Sequence, residues 1–259
     1  NNQTLRALLF HIQKRIHEIK ESSNCWRWMN RLNNQEFFLV NIPAAQLQLV
    51  NKDSATDMHM KVIVGKESTR TPAFATYIAK IVAYPYWTVP LSIATKEMLP
   101  KIKKRLAYLD ENDLQVINSK GKVLAPEKIA WQSLSRNYFP YIIRQSTGCD
   151  NSLGVLKFEL NTPFSIYMHD TNVKSLFGSN LRFLSHGCIR LEKPMEMASF
   201  LLRDGLDSTT INLLNSCVKN QSPQDFLLKK KFPVFVLYMT AEADKNGKLK
   251  FYNDVYKKE

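Results

Sequence analysis

The stretch Ser185-His186-Gly187-Cys188-Ile189-Arg190-Leu191, with Tyr167-Met168-His169-Asp170 upstream of it, decides how this sequence is interpreted. It combines a thiol, two nearby imidazoles, a glycine directly before the thiol and a guanidinium two residues after it. Only a few per cent of a cysteine thiol is ionised near pH 7, so a nucleophilic cysteine needs a base or a cation beside it. Histidine is well suited to both jobs. The combination therefore predicts a cysteine-nucleophile acyl-transfer site.

Three positions of the stretch Ser185–Leu191 have predictable roles in acyl transfer. Cys188 is the predicted nucleophile. Gly187 permits close approach of the backbone, so the N–H groups of Gly187 and Cys188 are predicted to stabilise a developing oxyanion. Arg190 is expected to share a strand face with the thiol, where its guanidinium would hold a substrate carboxylate or favour the thiolate.

Two histidines compete for the role of general base. His186 adjoins the motif, but a residue beside Gly187 on the same segment often cannot aim its ring at the thiol. His169 belongs to a separate segment and is free to approach from the side, which favours it. Asp170 would then orient the imidazole through its carboxylate or, more simply, through its backbone carbonyl.

Strand alternation predicts the direction in which the His169 segment faces. Successive side chains of an extended segment lie on opposite faces. Ile166 and Met168 are therefore predicted to face the core, and Tyr167 and His169 to face a cleft.

A zinc site is an alternative for the same cluster. His169, Asp170, His186 and Cys188 are all zinc-ligand types, but the sequence has no His-x-x-x-His spacing and no close cysteine pair. Neither a metal nor another cofactor is therefore expected.

The composition is ordinary for a globular protein, except for its charge. The chain has 259 residues, of which 44% are hydrophobic and 23% charged, and it carries a formal net charge of +13. This charge indicates either a solvated basic surface or an anionic partner such as nucleic acid, a membrane or a cell-wall polymer. The basic clusters at 101–105 and 229–231 lack interleaved aromatics, which disfavours nucleic acid. No apolar run approaches the roughly 20 residues of a membrane span, and the N-terminus, which lacks Met, predicts a processed chain.

The cysteines do not form a recognisable framework. They are Cys25, Cys149, Cys188 and Cys217, without a C-x-x-C pair. If Cys188 is the nucleophile, three remain, so at least one more thiol is expected to stay free or to pair outside the chain.

Hydrophobic spacing predicts a helix followed by a β-rich chain. Residues 4–21 are predicted to form an amphipathic helix. Its apolar side chains are Leu5, Leu8, Leu9, Ile12, Ile16 and Ile19. Period-two patterns and turn residues then predict an antiparallel meander with strands at 37–42, 46–50, 58–64 and 76–83.

The pattern changes after Pro85 and Pro90. Residues 91–140 carry a helical stretch near Lys96–Tyr108, a polar loop and few β-patterned residues, which predicts a partly helical insertion. Pro194 suits a first helical position and Asp207 an N-cap. The remaining predicted elements are strands at 154–160 and 165–169, helices at 194–203 and 207–216, and strands at 234–241 and 249–252, with a hairpin turn at 245–247.

The motif of His169, sixteen intervening residues and then His186-Gly187-Cys188, preceded by Ser185, resembles the signature of the L,D-transpeptidase (YkuD-like) catalytic domain. The resemblance covers roughly residues 36–257 and is with the large Gram-negative-type branch of the family. The segments that carry it are 40–44, 62–66, 70–72, 85–90, 99–102, 143–145, 151–154, 157–158, 167–171, 176–177 and 237–241.

The resemblance implies an α+β, mostly β fold. A mixed β-sandwich or barrel catalytic domain would occupy residues 36–257, with a capping subdomain inserted at about 91–140. Residues 1–35 would be an N-terminal helical segment, the tail of a scaffold domain. The resemblance also implies a periplasmic or cell-envelope location and no cofactor.

The chemistry implied is cysteine acyl transfer in cell-wall assembly. Family members cut a peptidoglycan stem tetrapeptide before its terminal D-Ala, hold the acyl group as a cysteine thioester and pass it to an amine of a neighbouring stem, which gives a 3–3 cross-link. The implied partners are therefore stem peptides, with carbapenem β-lactams as covalent inhibitors and with no nucleic acid. An L,D-carboxypeptidase, which passes the same thioester to water, and a non-catalytic wall-binding protein are the alternatives.

Roles carry over by position. Cys188 is the implied nucleophile, His169 the base oriented by the Asp170 carbonyl, and His186 a shaper of the acyl pocket. The implied oxyanion donors are Gly187 and Cys188, and the implied substrate-binding residues are Tyr167, Ser185, Arg190 and Trp87.

Two residues depart from the family pattern. Cys149 stands where relatives commonly carry proline, and it adds a second thiol with no assigned role. Arg190 stands where many relatives carry asparagine. No complete wall-binding domain is recognisable in the sequence.

Overall fold

The structure is a computed structural model that describes residues 2–31, 35–51, 58–203, 212, 214, 221–244 and 246–258. The helices are α1 Asn2–Arg31, α2 Leu91–Ile93, α3 Leu99–Lys104, α4 Tyr108–Glu111 and α5 Pro194–Leu201. A π-helix, Ala94–Met98, joins α2 to α3, and short 3-10 helices lie at Glu67–Thr69, Pro126–Lys128, Trp131–Ser133 and Lys174–Gly178. The strands are β1 Phe37–Asn41, β2 Gln46–Val50, β3 His59–Gly65, β4 Phe74–Ala83, β5 Trp87–Thr88, β6 Leu114–Ile117, β7 Val123–Leu124, β8 Ile142–Gln145, β9 Leu156–Leu160, β10 Met168–His169, β11 Phe183–Ser185, β12 Ile189–Leu191, β13 Gln224–Leu237, β14 Ala241–Ala243 and β15 Leu249–Phe251.

The main sheet closes on itself. Its strand order is β11-β3-β12-β10-β9-β4-β13-β1-β2, and β2 pairs again with β3. The expected fold class, mostly β with a barrel or sandwich core, is confirmed. The predicted meander is correct only for β1, β2 and β3, because β4 pairs with β13 and β9 instead of β3, and β13 runs parallel to β1.

Strand β1 is buried along its whole length because it separates two hydrophobic cores. Phe38 and Val40 pack inside the barrel, whereas Phe37 and Leu39 pack outside it against Met29 of α1. Strands covered on both faces read as continuous apolar runs, which explains the sequence Phe37-Phe38-Leu39-Val40.

Helix α1 is longer than predicted and packs through an unexpected part. Its C-terminal half contacts the barrel, with Met29 fully buried and Trp28 edge-on to Phe235. Most of the apolar residues that defined the predicted helix are exposed instead; they are Leu5, Leu8, Leu9, Ile12 and Ile16.

The inserted segment contains a sheet as well as helices. Strands β5, β6, β7 and β8 form a four-stranded sheet in the order β5-β8-β6-β7. With the intervening helices they enclose a separate core that includes Val116, Ile143 and Leu109. We call residues 87–145 the cap. Its strands were missed because β6 and β7 are short and lie between helical and polar segments.

Other expectations differ in their bounds. The strand predicted at 165–169 begins only at Met168, after Ser165 with its positive φ of 53°. Pro194 lies in the first turn of α5, as predicted. The helix predicted at 207–216, with its Asp207 N-cap, lies outside the described residues except for positions 212 and 214, and so does Lys245 of the predicted turn.

Candidate active site

Two neighbouring strands bring the two predicted stretches together. Strand β10 runs parallel to β12, with Met168 opposite Ile189 and His169 opposite Arg190. Met168 is buried in the barrel core, and the rings of Tyr167 and His169 make an edge contact at 5.5 Å. The predicted alternation of these three residues is therefore confirmed. Ile166 was expected in the core but lines the cavity described next, because the strand starts after it.

A cavity of about 890 Å³ lies between the cap and these strands. Cys188 and His169 both line it. The other predicted site residues on its wall are Trp87, Tyr167, Ser185, His186, Gly187 and Arg190. Each side chain proposed from sequence to touch substrate is therefore in or beside one space large enough for a peptide segment.

The Cys188 thiol is held by Tyr167. It accepts hydrogen bonds from the backbone N–H and from the phenolic hydroxyl of that residue. Burial raises the thiol pKa, whereas these two hydrogen bonds and the positive charges of Lys157 and Arg190 oppose the rise. The resting sulfur is thus a protonated thiol surrounded by groups that stabilise its anion.

Tyr167 itself connects the thiol to the cap. Burial, and the sulfur beside it, raise the pKa of its hydroxyl, so the hydroxyl remains a proton donor. Trp87 of β5 makes a side-chain hydrogen bond to the same hydroxyl. Because an indole N–H can only donate, the order of donation runs from Trp87 to Tyr167 to Cys188.

His169 is buried and fixed by backbone carbonyls. Its Nδ1 lies 2.5 Å from the backbone oxygen of Asp170, and the Leu153 backbone makes a further hydrogen bond to the ring. A carbonyl only accepts, so Nδ1 carries the proton. Burial, chiefly, and the charge of Arg190 lower the pKa of this imidazole to about 3, which leaves it neutral at rest.

Asp170 acts on His169 through its carbonyl, and its carboxylate has another use. Oδ2 accepts from the Val155 N–H at 3.0 Å, and Oδ1 pairs with Lys174. A Cβ at Gly154, which has a φ of +60°, would lie 2.3 Å from Oδ2. Of the two orienting modes considered from sequence, the structure contains the backbone one.

The segment Ser185–Cys188, here called the nucleophile loop, is shaped by its own serine. Ser185 Oγ donates to the Cys188 carbonyl at 2.6 Å and accepts from the Gly187 N–H at 3.1 Å. The Gly187 amide is therefore occupied, and its expected role as an oxyanion donor is not supported by this geometry. Ser185 is 2% exposed, so it shapes the loop more than it meets substrate.

Two residues that sequence analysis missed hold the loop from the barrel side. Thr71 Oγ1 donates to the Gly187 carbonyl at 2.8 Å and accepts from the Gly65 N–H at 2.9 Å. The Tyr256 hydroxyl accepts from the Thr71 N–H and donates to the Gly65 carbonyl. These contacts join residues up to 191 positions apart in the sequence, so no local sequence motif predicts them.

His186 faces the cap. Its Nε2 lies 2.6 Å from Oε1 of Glu97, and about a third of the His186 side chain is exposed. This partner, rather than the thiol, accounts for the orientation of the ring. His169 therefore remains the candidate base.

Arg190 lines the cavity and lies close enough to Cys188 and His169 for its charge to lower the pKa of both. Burial lowers its pKa, an effect that the nearby Cys188 opposes. Its buried Nε has no hydrogen-bond partner in the described part of the chain. Lys157 lies 4.7 Å from the centre of the Tyr167 ring and adds a second positive charge near the thiol.

Neither of the other two described cysteines lines this cavity. Cys25 is a free thiol within α1 that packs against the outer core. Cys149 is disulfide-bonded, so the expectation that it adds a second thiol is wrong. Cys217 lies outside the described residues.

Within the described ranges, no group of three or more His, Cys, Asp or Glu side chains is arranged to hold a metal ion. Within the same ranges, no helix combines the length and the apolar character needed to cross a bilayer.

Comparisons with known proteins point to one family. A family profile described as the L,D-transpeptidase catalytic domain matches residues 35–226. A Haemophilus influenzae protein named "Putative L,D-transpeptidase" is 35% identical over 218 residues, which are 84% of this chain and 43% of that protein. The chain thus spans less than half the length of this relative.

Solved structures give weaker similarity. L,D-transpeptidase from Mycobacterium smegmatis matches with 12% identity and a TM-score of 0.35, over 78% of this chain and 58% of that one. L,D-transpeptidase 3 from Mycobacterium tuberculosis, in complex with a faropenem-derived adduct, matches with 12% identity and a TM-score of 0.34, over 78% and 59%.

Proposed function

Because the chain belongs to the L,D-transpeptidase family, we propose that it is a cysteine-dependent acyltransferase that forms 3–3 cross-links between peptidoglycan stem peptides. The observation that carries this proposal is the Cys188 thiol, which lines a large cavity together with a neutral, buried His169. The donor is a stem tetrapeptide, and the released group is its terminal D-Ala.

In the acylation step, Cys188 attacks the carbonyl carbon of the bond that precedes D-Ala. His169 takes the thiol proton on Nε2, because Nδ1 is already occupied by the Asp170 carbonyl. The resulting imidazolium donates this proton to the D-Ala amine as the carbon–nitrogen bond breaks. The acyl group is left as a thioester on Cys188.

Particular groups offset part of the cost of forming charges in this buried site. The hydroxyl and N–H of Tyr167 stabilise the sulfur as it becomes anionic. The Asp170 carbonyl stabilises the imidazolium. Since the Gly187 amide is occupied by Ser185, the N–H of Cys188 is the proposed oxyanion donor.

In the second step, an amine of a neighbouring stem attacks the thioester and an amide bond forms. His169 accepts a proton from this amine and passes it to the sulfur as the carbon–sulfur bond breaks, so Cys188 leaves as the thiol. Water in place of the amine gives an L,D-carboxypeptidase, the second candidate function. We propose that the cap, residues 87–145, limits the access of water and that Trp87 and Arg190 contact the donor.

Charge and location are consistent with an anionic wall substrate. Stem peptides carry carboxylates, and Arg190 and Lys101 place positive charge on the cavity wall. We propose a periplasmic or cell-envelope location. We also propose covalent inhibition by carbapenems, a β-lactam chemistry consistent with the faropenem-derived adduct of the Mycobacterium tuberculosis relative.

The test is incubation with purified disaccharide-tetrapeptide, followed by mass spectrometry of the products. The proposal predicts cross-linked dimers together with released D-Ala, and neither with Cys188→Ala. Release of D-Ala without dimers would identify the carboxypeptidase. Binding of wall fragments that is equal in the wild type and Cys188→Ala, with no product from either, would identify a non-catalytic binder.

A further inference from the structure

The cap contributes an acidic side chain to the cavity wall, and this side chain is engaged with the nucleophile loop. Glu97 Oε1 and His186 Nε2 are 2.6 Å apart, although 89 residues separate them in sequence. Among the described residues that line the cavity, the other charged side chains are positive or histidine. The position of Glu97 therefore requires a specific explanation.

The backbone around Glu97 is unusual. The residue lies in the π-helix Ala94–Met98, which interrupts the run from α2 to α3. π-helices are rare in proteins, and those that occur are often found at functional sites. Here Ala94 and Met98 pack into the core of the cap, while Glu97 between them reaches the cavity.

The direction of the Glu97–His186 contact is fixed by chemistry. An ionised carboxylate can only accept, so Nε2 of His186 donates. The ring is thereby held in one orientation at the residue that precedes Gly187 and Cys188. The barrel holds the same loop through Thr71, whose Oγ1 donates to the Gly187 carbonyl.

We propose that Glu97 is a positioning residue through which the cap holds the nucleophile loop for acylation; this rests on the function proposed above. The exposure of the pair argues for a role in rate more than in stability, because ion pairs near solvent contribute little to folding. The hydrogen bond from Trp87 to Tyr167 is a second contact between the cap and the surroundings of the thiol.

The experiment compares Glu97→Ala and Glu97→Gln with Glu111→Ala as a matched control. Glu111 is also in the cap and has similar side-chain exposure, but it pairs with Arg105 away from the cavity. We expect Glu97→Ala to slow acylation of Cys188 by a carbapenem about fivefold, or about 1 kcal/mol in activation free energy. With tetrapeptide donor, kcat falls and KM stays nearly constant. Glu97→Gln keeps an acceptor oxygen and restores most of the acylation rate. Glu111→Ala leaves the acylation rate unchanged, and none of the variants has an altered Tm.

A double-mutant cycle tests whether Glu97 acts through His186. If it does, Glu97→Ala has no further effect in a His186→Ala background. Additive effects, an unchanged rate in Glu97→Ala, or no rescue by Glu97→Gln would overturn the inference. Failure of the wild-type protein to be acylated at Cys188 would instead contradict the proposed function, so the two failures are distinguishable.

Discussion

The phenolic hydroxyl of Tyr167 donates a hydrogen bond to the sulfur of Cys188, and the backbone N–H of Tyr167 donates a second one. One residue thus supplies two of the groups that stabilise the thiolate. From sequence, Tyr167 was expected to bind substrate. The structure gives it a more direct role at the nucleophile.

Replacement of Tyr167 by phenylalanine should therefore raise the pKa of Cys188 further. The ring packing against His169 is kept, and one hydrogen bond to the anion is lost. The measurement is the pH dependence of iodoacetamide alkylation at Cys188, resolved by peptide mass mapping. Cys25, a free thiol outside the site, is the internal reference. A midpoint for Cys188 that does not move, or that falls, would contradict the assigned hydrogen bond.

The low pKa of His169 predicts a specific dependence of stability on pH. Between its unfolded value of 6.5 and its folded value of about 3, the unfolded chain binds a proton at this residue and the folded chain does not. Stability contributed by the neutral imidazole is therefore present above pH 6.5 and is lost as the pH falls.

The variant His169→Gln lacks this titration and isolates it. The difference in unfolding free energy between the wild type and this variant should shrink by on the order of 2 kcal/mol from pH 6.5 to pH 4.5. Urea unfolding at several pH values measures it. A difference that is independent of pH would mean that His169 is not buried in its neutral form.

Thr71 should matter for the stability of the fold around the nucleophile loop. Thr71→Val removes the hydroxyl that joins the Gly65 N–H to the Gly187 carbonyl in a fully buried setting, which should cost about 1–3 kcal/mol of unfolding free energy. Thr76→Val, which removes a solvent-exposed hydrogen bond to Asn161, is the control and should cost much less. Equal losses in urea unfolding would show that the Thr71 bridge is not important.

Gly154 should tolerate alanine poorly. Both Gly154 and Gly121 have positive φ, but only Gly154 has the Asp170 carboxylate where a Cβ would lie. Both alanine variants have the backbone strain of a positive φ, so the difference between their stabilities measures the clash of the added Cβ with Asp170. We expect Gly154→Ala to lose about 1–3 kcal/mol more unfolding free energy than Gly121→Ala. We also expect Cys188 of Gly154→Ala to be acylated more slowly, because the Asp170 carbonyl holds His169. Matching Tm values for the two variants would contradict this account.

The candidate residues that line the cavity could be predicted from the sequence, whereas the contacts that hold them in place could not. Cys188 and His169 belong to a compact motif, and strand alternation correctly separated Met168 from Tyr167 and His169. Thr71 and Glu97 were not predicted as site residues, because each reaches the nucleophile loop only through tertiary contacts, 116 and 89 residues along the chain. The occupied Gly187 amide was missed for a related reason, since hydrogen-bond partners depend on the conformation of the loop.

The fold shows the same division. Long apolar patterns identified β1, β2 and the core of β4, whereas the parallel pairing of β1 with β13 joins segments almost 200 residues apart. Helical spacing predicted α1. It did not show that the apolar side chains of the N-terminal half would be exposed, or that the C-terminal half would pack against the barrel. Burial of a helix face depends on the neighbouring elements as well as on its own periodicity.

The most direct test of the central claim is intact-mass spectrometry of the protein after exposure to a carbapenem, with peptide mapping of the adduct. The account predicts one adduct, located on Cys188, in the wild type and in Cys25→Ser, and none in Cys188→Ala. No adduct on the wild type, or an adduct that persists in Cys188→Ala, would contradict the assignment of Cys188 as the nucleophile.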